Sequence, residues 1–327
     1  MDFLTADTLP WLHPFQQRLR DSLAAKRLPH SSLLLSTPGL GAELFANWMS
    51  ALALCESQAA RPCGVCASCG LLRAGSHPDY HAVRLEEDAK QIKVDQVRDL
   101  IGTLSLKSYR GGYKVGVIEG AEALNANGAN AFLKTLEEPS DDTMLILSAR
   151  PTHRLPATIA SRCLRIVLRP PAETAAIAWL EAHGRPDQNW PAALALAGAG
   201  PLLAMELQDA GIAALEMDMQ ENLQALATGA VDVTLLAEQW VKSHLGLRIL
   251  WLENWITRRV RTGLAGGNSP QSAERVRLPA ALLKPKIRAL FELLDAAREL
   301  RRLASTGINQ QLALEALLLG GRTALAK

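Results

Sequence analysis

The sequence predicts an α/β domain on a parallel sheet, followed by a chain of helices. Three observations carry this. In the first half, short apolar runs alternate with stretches of helical periodicity, the pattern of parallel strands joined by crossover helices. Pro170-Pro171 breaks that alternation, and no strand pattern follows it. From about Ile212 onward every periodic segment reads as helix.

Each element rests on its own residues. Phe15 to Lys26 and Leu44 to Leu54 have helical spacing, and Ser31 to Leu35 between them is a short apolar strand. Tyr80 to Leu85 reads as a strand, Val94 to Leu104 as a helix and Lys114 to Glu119 as a strand. Asn125 to Glu138 places Ala129, Phe132, Leu133 and Leu136 on one helical face and stops at Pro139. Thr143 to Ser148 and Leu164 to Leu168 are further strands. Glu173 to His183, Pro191 to Ala197 and Leu202 to Asp209 form a small helical unit. Ile212 to Leu226, Val233 to His244, Leu247 to Val260, Ala280 to Leu303 and Asn309 to Leu319 complete the helices, with a turn-rich loop at Gly263 to Ser272.

Composition narrows the function classes. The chain has 327 residues, enough for two or three domains, and at 48% hydrophobic and 21% charged it can build sizeable cores. A net charge of +2 excludes a strongly basic coat protein, though not a local basic patch. Aromatic residues are 5%, which disfavours a base-stacking surface. No run of 18 uninterrupted apolar residues occurs, so no transmembrane helix is expected. The start, Met1 to Asp7, has neither the basic segment nor the apolar run of a secretory signal, so a cytoplasmic location is expected.

Four of the five cysteines, Cys55, Cys63, Cys66 and Cys69, stand as C-x7-C-x2-C-x2-C. Thiolates at this spacing wrap a tight turn around one ion, and four of them match the closed tetrahedral shell of structural zinc. Pro62, Gly64 and Gly70 supply the turns. An iron–sulfur cluster and a thioredoxin-like redox pair are the competing readings of the same spacing. Cys163 lies apart from the set.

Leu33-Leu34-Leu35 runs into Ser36-Thr37-Pro38-Gly39-Leu40-Gly41-Ala42-Glu43 and then a helix, the strand–loop–helix context of a phosphate-binding loop. The loop keeps Gly39 and Gly41. Ser36 stands where the first glycine belongs, Ala42 where the lysine belongs and Glu43 where the magnesium-binding hydroxyl belongs. Ala42 brings no charge and Glu43 brings the wrong one, so nucleotide binding and hydrolysis are disfavoured. The strand Val115 to Ile118 ends in Glu119-Gly120, without the second carboxylate that would activate water. Losing both stations on a retained scaffold points to a retired ATPase.

Asn130-Ala131-Phe132-Leu133-Lys134-Thr135-Leu136-Glu137-Glu138-Pro139, with Ser161-Arg162-Cys163 further on, resembles the clamp-loader branch of the AAA+ proteins. The cysteine set narrows the resemblance to the bacterial delta-prime and gamma/tau families, and the lost phosphate-loop residues favour delta-prime. Pro10-Trp11-Leu12, His77-Pro78-Asp79-Tyr80 and Gly307-Ile308-Asn309 point the same way. The resemblance covers nearly the whole chain and is strongest from Leu33 to Cys163.

The resemblance implies a RecA-like AAA+ domain over 1–169, with a zinc module at about 55–69, then a helical lid over 170–210 and an all-α collar over 211–327. It implies that Arg162 is an arginine finger reaching the γ-phosphate of ATP held by a neighbouring gamma/tau subunit. It maps Cys55, Cys63, Cys66 and Cys69 onto a structural zinc site, and implies no ATP in the chain's own loop. The position beside the γ-phosphate in active relatives falls near Ala149 or Arg150. The partners implied are gamma/tau and delta subunits in a five-membered ring, with the sliding clamp and primed DNA reached through the complex.

Two other classes compete. An active AAA+ ATPase is opposed by Ala42 and Glu43. A zinc-dependent nucleic-acid binding protein explains the cysteines but neither the loop scaffold nor Arg162. In the helical part, Trp251, Trp255 and Ile256, with Leu247 and Leu252, form an apolar face that reads first as core. Arg258, Arg259 and Arg261 read as a solvated face, and Trp11 and His13 as packing residues.

Overall fold

A computed structural model describes residues 4–86, 89, 91–151, 155–185, 188–264, 285–303 and 309–325. Gly307, Ile308 and most of the Gly263–Ser272 loop lie outside the described residues, as does the Arg261 side chain. The chain divides into two compact units, Met1–Gly184 with Ala197–Ala204, and Arg185–Leu196 with Met205–Lys327.

The first unit holds five parallel strands: β1 (Ser31–Leu35), β2 (Tyr80–Val83), β3 (Lys114–Ile118), β4 (Thr143–Ala149) and β5 (Leu164–Val167). They lie in the order β2-β3-β4-β1-β5, so β4 is the middle strand and β1 lies between β4 and β5, with Leu33 opposite Leu147 of β4 and Arg165 of β5. Parallel strands need crossovers. These are supplied by α2 (Ala42–Leu54) with α3 (Ala67–Arg73), then α4 (Val94–Ser105), α5 (Ala126–Glu137) and the short α6 (Ala157–Ala160); α1 (His13–Ala24) precedes the sheet and α7 (Glu173–His183) follows it. This is the parallel sheet that the sequence pattern predicts, in the RecA-like form that the resemblance implies.

Alternation along the strands sorts the two faces. Leu33, Ile118, Leu145 and Leu147 face a core shared with Val97, Leu100 and Leu104 of α4 and Ala129, Phe132 and Leu136 of α5. Helix α2 packs on β3 and β4 from the other side, and Phe45 through Leu54 are buried without a break, as suits a helix enclosed on all sides. Asn125 caps α5 by accepting from the Gly128 amide at 2.7 Å. Lys114 is buried at the start of β3. Its Nζ donates to the carbonyls of Leu104 and Leu106 at 2.6 and 2.7 Å and to Ser140 Oγ at 3.0 Å, so a cation closes the C-terminal end of α4.

The second unit is helical: α8 (Trp190–Leu196), the later part of α9 (Pro201–Asp209), α10 (Ile212–Thr228), α11 (Val233–Lys242), α12 (Leu245–Leu264), α13 (Pro285–Leu303) and α14 (Gln310–Leu325). Trp251, Leu252 and Ile256 are buried in it, and the Arg259 guanidinium sits 4.2 Å from the Trp255 ring centre. Arg248 is also buried. It reaches Asp218 at 2.5 Å and the Ser243 carbonyl at 2.9 Å, so the desolvated cation is paired. Among the described residues no single helix is long and apolar enough to cross a membrane.

Candidate functional site

The predicted site residues fall in three places built from different elements. The first is the cysteine cluster between α2 and α3. Cys55 ends α2, and Cys66 begins α3, its sulfur accepting from the Cys69 amide. The four sulfurs lie within 4.8 Å of one another, and those of Cys55 and Cys66 are 3.9 Å apart. Four thiolates at zinc's bond length would stand about 3.8 Å apart, so the donor set fits one tetrahedral ion.

The amides of Cys63, Cys66 and Cys69 each point at a neighbouring sulfur, at 3.4 Å. Amide donors from Val65 and Cys66 bring the Cys63 thiol down to about 6. Burial pushes the Cys55 and Cys69 thiols up. A coordinated cation would reverse that, because coordinated thiols deprotonate.

His77-Pro78-Asp79 braces the cluster from behind. Ser68 donates to the Leu54 carbonyl at 2.6 Å, so the 2.8 Å contact between Ser68 Oγ and His77 Nε2 places the imidazole proton on Nε2. Nδ1 then accepts from the Asp79 amide at 3.1 Å, and burial lowers the pKa of the ring. The buried Asp79 carboxylate accepts from the amides of Tyr109 and Arg110 at 2.7 and 3.0 Å and from Ser108 Oγ at 3.2 Å. In the sequence this motif is only a point of resemblance. Its contacts span some thirty residues, so spacing alone does not reveal them.

The second place is the altered phosphate loop. Gly39 and Gly41 are left-handed, with φ of 79° and 81°. The turn is covered by the chain's own residues. The Leu202 amide donates to the Gly39 carbonyl at 3.0 Å. A side chain on Gly39 would come within 2.5 Å of Leu203 Cβ, and one on Gly200 within 2.3 Å of the Pro38 carbonyl. From the N-terminal side, Trp11 Nε1 donates to the Leu40 carbonyl at 2.9 Å, and its ring meets Trp179 edge-on. Trp11 is thus a packing residue with a specific partner.

Glu43 lies in the first turn of α2, where a carboxylate complements the helix dipole that would otherwise favour a phosphate. Glu119, at the end of β3, pairs with Arg84 at 3.5 Å. Burial raises its carboxyl pKa, Arg84 opposes the rise and Glu43 adds to it. Two carboxylates therefore influence each other where an active site would need room for magnesium and phosphate.

The third place is Arg162, after α6. Its carbonyl accepts from Ser31 Oγ at 2.7 Å, which ties it to the start of β1. Its guanidinium pairs with Glu137, and Nη1 donates to the Thr158 carbonyl at 2.8 Å. The side chain is 32% exposed. Cys163 beside it is buried, which pushes its thiol up to about 11.

A family model described as DNA polymerase III, delta subunit, matches residues 12–172. DNA polymerase III subunit delta' of Pseudomonas aeruginosa is 36% identical, over 94% of this chain and 96% of that one. The delta' subunit of Yersinia pestis is 30% identical over 97% and 96%.

The chain belongs to the delta-prime family of DNA polymerase III subunits.

DNA polymerase III subunit tau of Escherichia coli K12 is 34% identical over 46% of this chain and 23% of its own length. The delta-prime likeness thus runs through both compact units, whereas the tau match covers less than half the chain.

Proposed function

We propose that the chain is a clamp-loader subunit of DNA polymerase III that hydrolyses no ATP itself and completes a neighbour's ATP site with Arg162. The observation that carries this reading is the covering of the Gly39–Gly41 turn by Gly200, Leu202 and Leu203. Ala42 offers no charge there and Glu43 offers a repelling one, so the turn, already engaged from one side, also lacks the cation that a triphosphate needs. Arg162, by contrast, keeps part of its charge at the surface. A permanently charged, planar guanidinium suits charge developing on phosphate in trans.

In this reading the cysteine cluster holds one structural zinc with no open position, and Cys55, Cys63, Cys66 and Cys69 are its ligands. Residues 1–169 form the AAA+ domain, 170–210 a lid and 211–327 a collar that joins the ring. The neighbours are gamma/tau and delta subunits in the cytoplasm, and the clamp and primed DNA are engaged through the assembly.

The test is reconstitution with gamma/tau and delta subunits. Arg162→Ala should leave assembly mass unchanged while lowering the DNA- and clamp-stimulated ATPase by roughly 10- to 1000-fold at the completed site. An unchanged rate of ATP hydrolysis and clamp loading would remove Arg162 from the mechanism. Salt-sensitive DNA binding by the isolated chain, with no influence on partner ATPase, would favour the nucleic-acid-binding reading instead.

A further inference from the structure

Arg162 is held along its whole length. Its amide donates to the Ile159 carbonyl at 3.1 Å, and its carbonyl accepts from Ser31. Nε and Nη2 both donate to one oxygen, Glu137 Oε1, with Nε at 2.6 Å. Nη1 donates to the Thr158 carbonyl at 2.8 Å and to Ser161 Oγ at 3.5 Å.

A guanidinium carries five N–H groups in one rigid plane. Glu137 occupies the side formed by Nε and Nη2. Among the described residues the second Nη2 hydrogen has no hydrogen-bond partner, and it lies at the outer end, the end formed by Nη1 and Nη2. Glu137 is the last residue of α5, directly after the buried Leu136, so its carboxylate hangs on a packed element rather than on a loop. An exposed arginine samples many rotamers, and ordering it when a ligand arrives is unfavourable. A carboxylate that fixes the inner side in advance removes that cost while leaving the outer end presented.

We infer that Glu137 is a positioning residue, whose carboxylate aims the outer end of Arg162 at the triphosphate of the neighbouring subunit. This rests on the arginine-finger reading of Arg162. The pair carries no net charge, so it gives little long-range attraction for nucleotide, and its contribution is to orientation. The effect should therefore fall on turnover and not on ATP binding by the neighbour. Because the pair is only partly buried, its removal should leave folding nearly intact.

The experiment uses the full reconstituted complex with Glu137→Ala, Glu137→Gln, Arg162→Ala and the double variant Glu137→Ala/Arg162→Ala, each checked for assembly by mass. Glu137→Ala should lower the stimulated ATPase kcat roughly 10-fold with KM for ATP unchanged. Glu137→Gln keeps an oxygen acceptor and should recover much of that loss. The double variant should match Arg162→Ala alone, because Glu137 acts only through the arginine. A wild-type or faster rate in Glu137→Ala, or a double variant clearly worse than Arg162→Ala, would overturn the inference. If Arg162→Ala itself matches wild type, the finger reading fails and this inference falls with it. If Arg162→Ala is impaired and Glu137→Ala is not, only the positioning role fails.

Discussion

The Leu202 amide hydrogen-bonds to the Gly39 carbonyl at 3.0 Å, while the neighbouring Leu203 Cβ occupies the space where a side chain on Gly39 would lie. The glycine turn of the altered phosphate loop is therefore engaged by backbone and side chain from the same protein. That engagement adds to the absence of a lysine at position 42.

Restoring the missing residues should consequently fail to restore binding. In Ala42→Lys/Glu43→Thr, the charge and hydroxyl return but Gly200, Leu202 and Leu203 still cover the turn. Calorimetric titration of this variant with Mg-ATP should show no association tighter than roughly 1 mM. Micromolar binding would mean that the covering segment moves aside readily.

The cysteine cluster predicts one tightly held zinc per chain, measurable by elemental analysis. Cys69→Ser removes a buried thiol and should abolish stoichiometric metal. Because metal binding and local folding are linked, the melting temperature should fall by about 5–10 °C. Full metal retention in the serine variant, or an unchanged melting curve after verified metal loss, would contradict the four-thiolate site.

Asp79 should be costly to truncate. It accepts three hydrogen bonds from Ser108, Tyr109 and Arg110 while buried. Asp79→Ala strands two backbone amides and should cost about 2–4 kcal/mol in urea unfolding. A change below about 0.5 kcal/mol would show that the 108–110 loop is held by other means.

His77 sets a pH dependence whose sign is fixed by its environment. Burial lowers its folded pKa, and the neutral ring is the one that donates to Ser68 and accepts from Asp79. The unfolded chain thus binds a proton more readily, near the ordinary imidazole value of about 6.5. The stabilisation is complete above that pH. It declines as pH falls below it, towards the folded value. Proton NMR of the imidazole should give a midpoint clearly below 6.5, and His77→Gln should flatten the fall in stability between about pH 7.5 and 5.5. A midpoint above 6.5 would reverse the assignment.

The fold was largely legible in the sequence because the strands are short, apolar and bounded by turn residues. Ser31–Leu35 and Glu173–His183 are found as predicted, and Lys114–Ile118 and Thr143–Ala149 differ from expectation by one residue. The helix Ala67–Arg73 was not legible, because a cysteine sulfur starts it and its seven residues are too few to show a period. The cysteines were legible as a set because their spacing is local. What covers the phosphate loop was not, because Leu202 and Leu203 reach it from more than 150 residues away along the chain. Glu137 was visible as part of a motif, but its contact with Arg162 joins the end of α5 to the segment after α6 and needs the folded chain.

The hydrogen bond and close packing around Gly39 also couple two stretches of the chain. A lone lysine placed at position 42 would meet a turn already packed against residues 200–203, and a lone retreat of that segment would expose leucines to water for no compensating ligand. Neither step brings an advantage without the other. Any change in what this turn can accept therefore involves two stretches far apart in the sequence, 39–43 and 200–203.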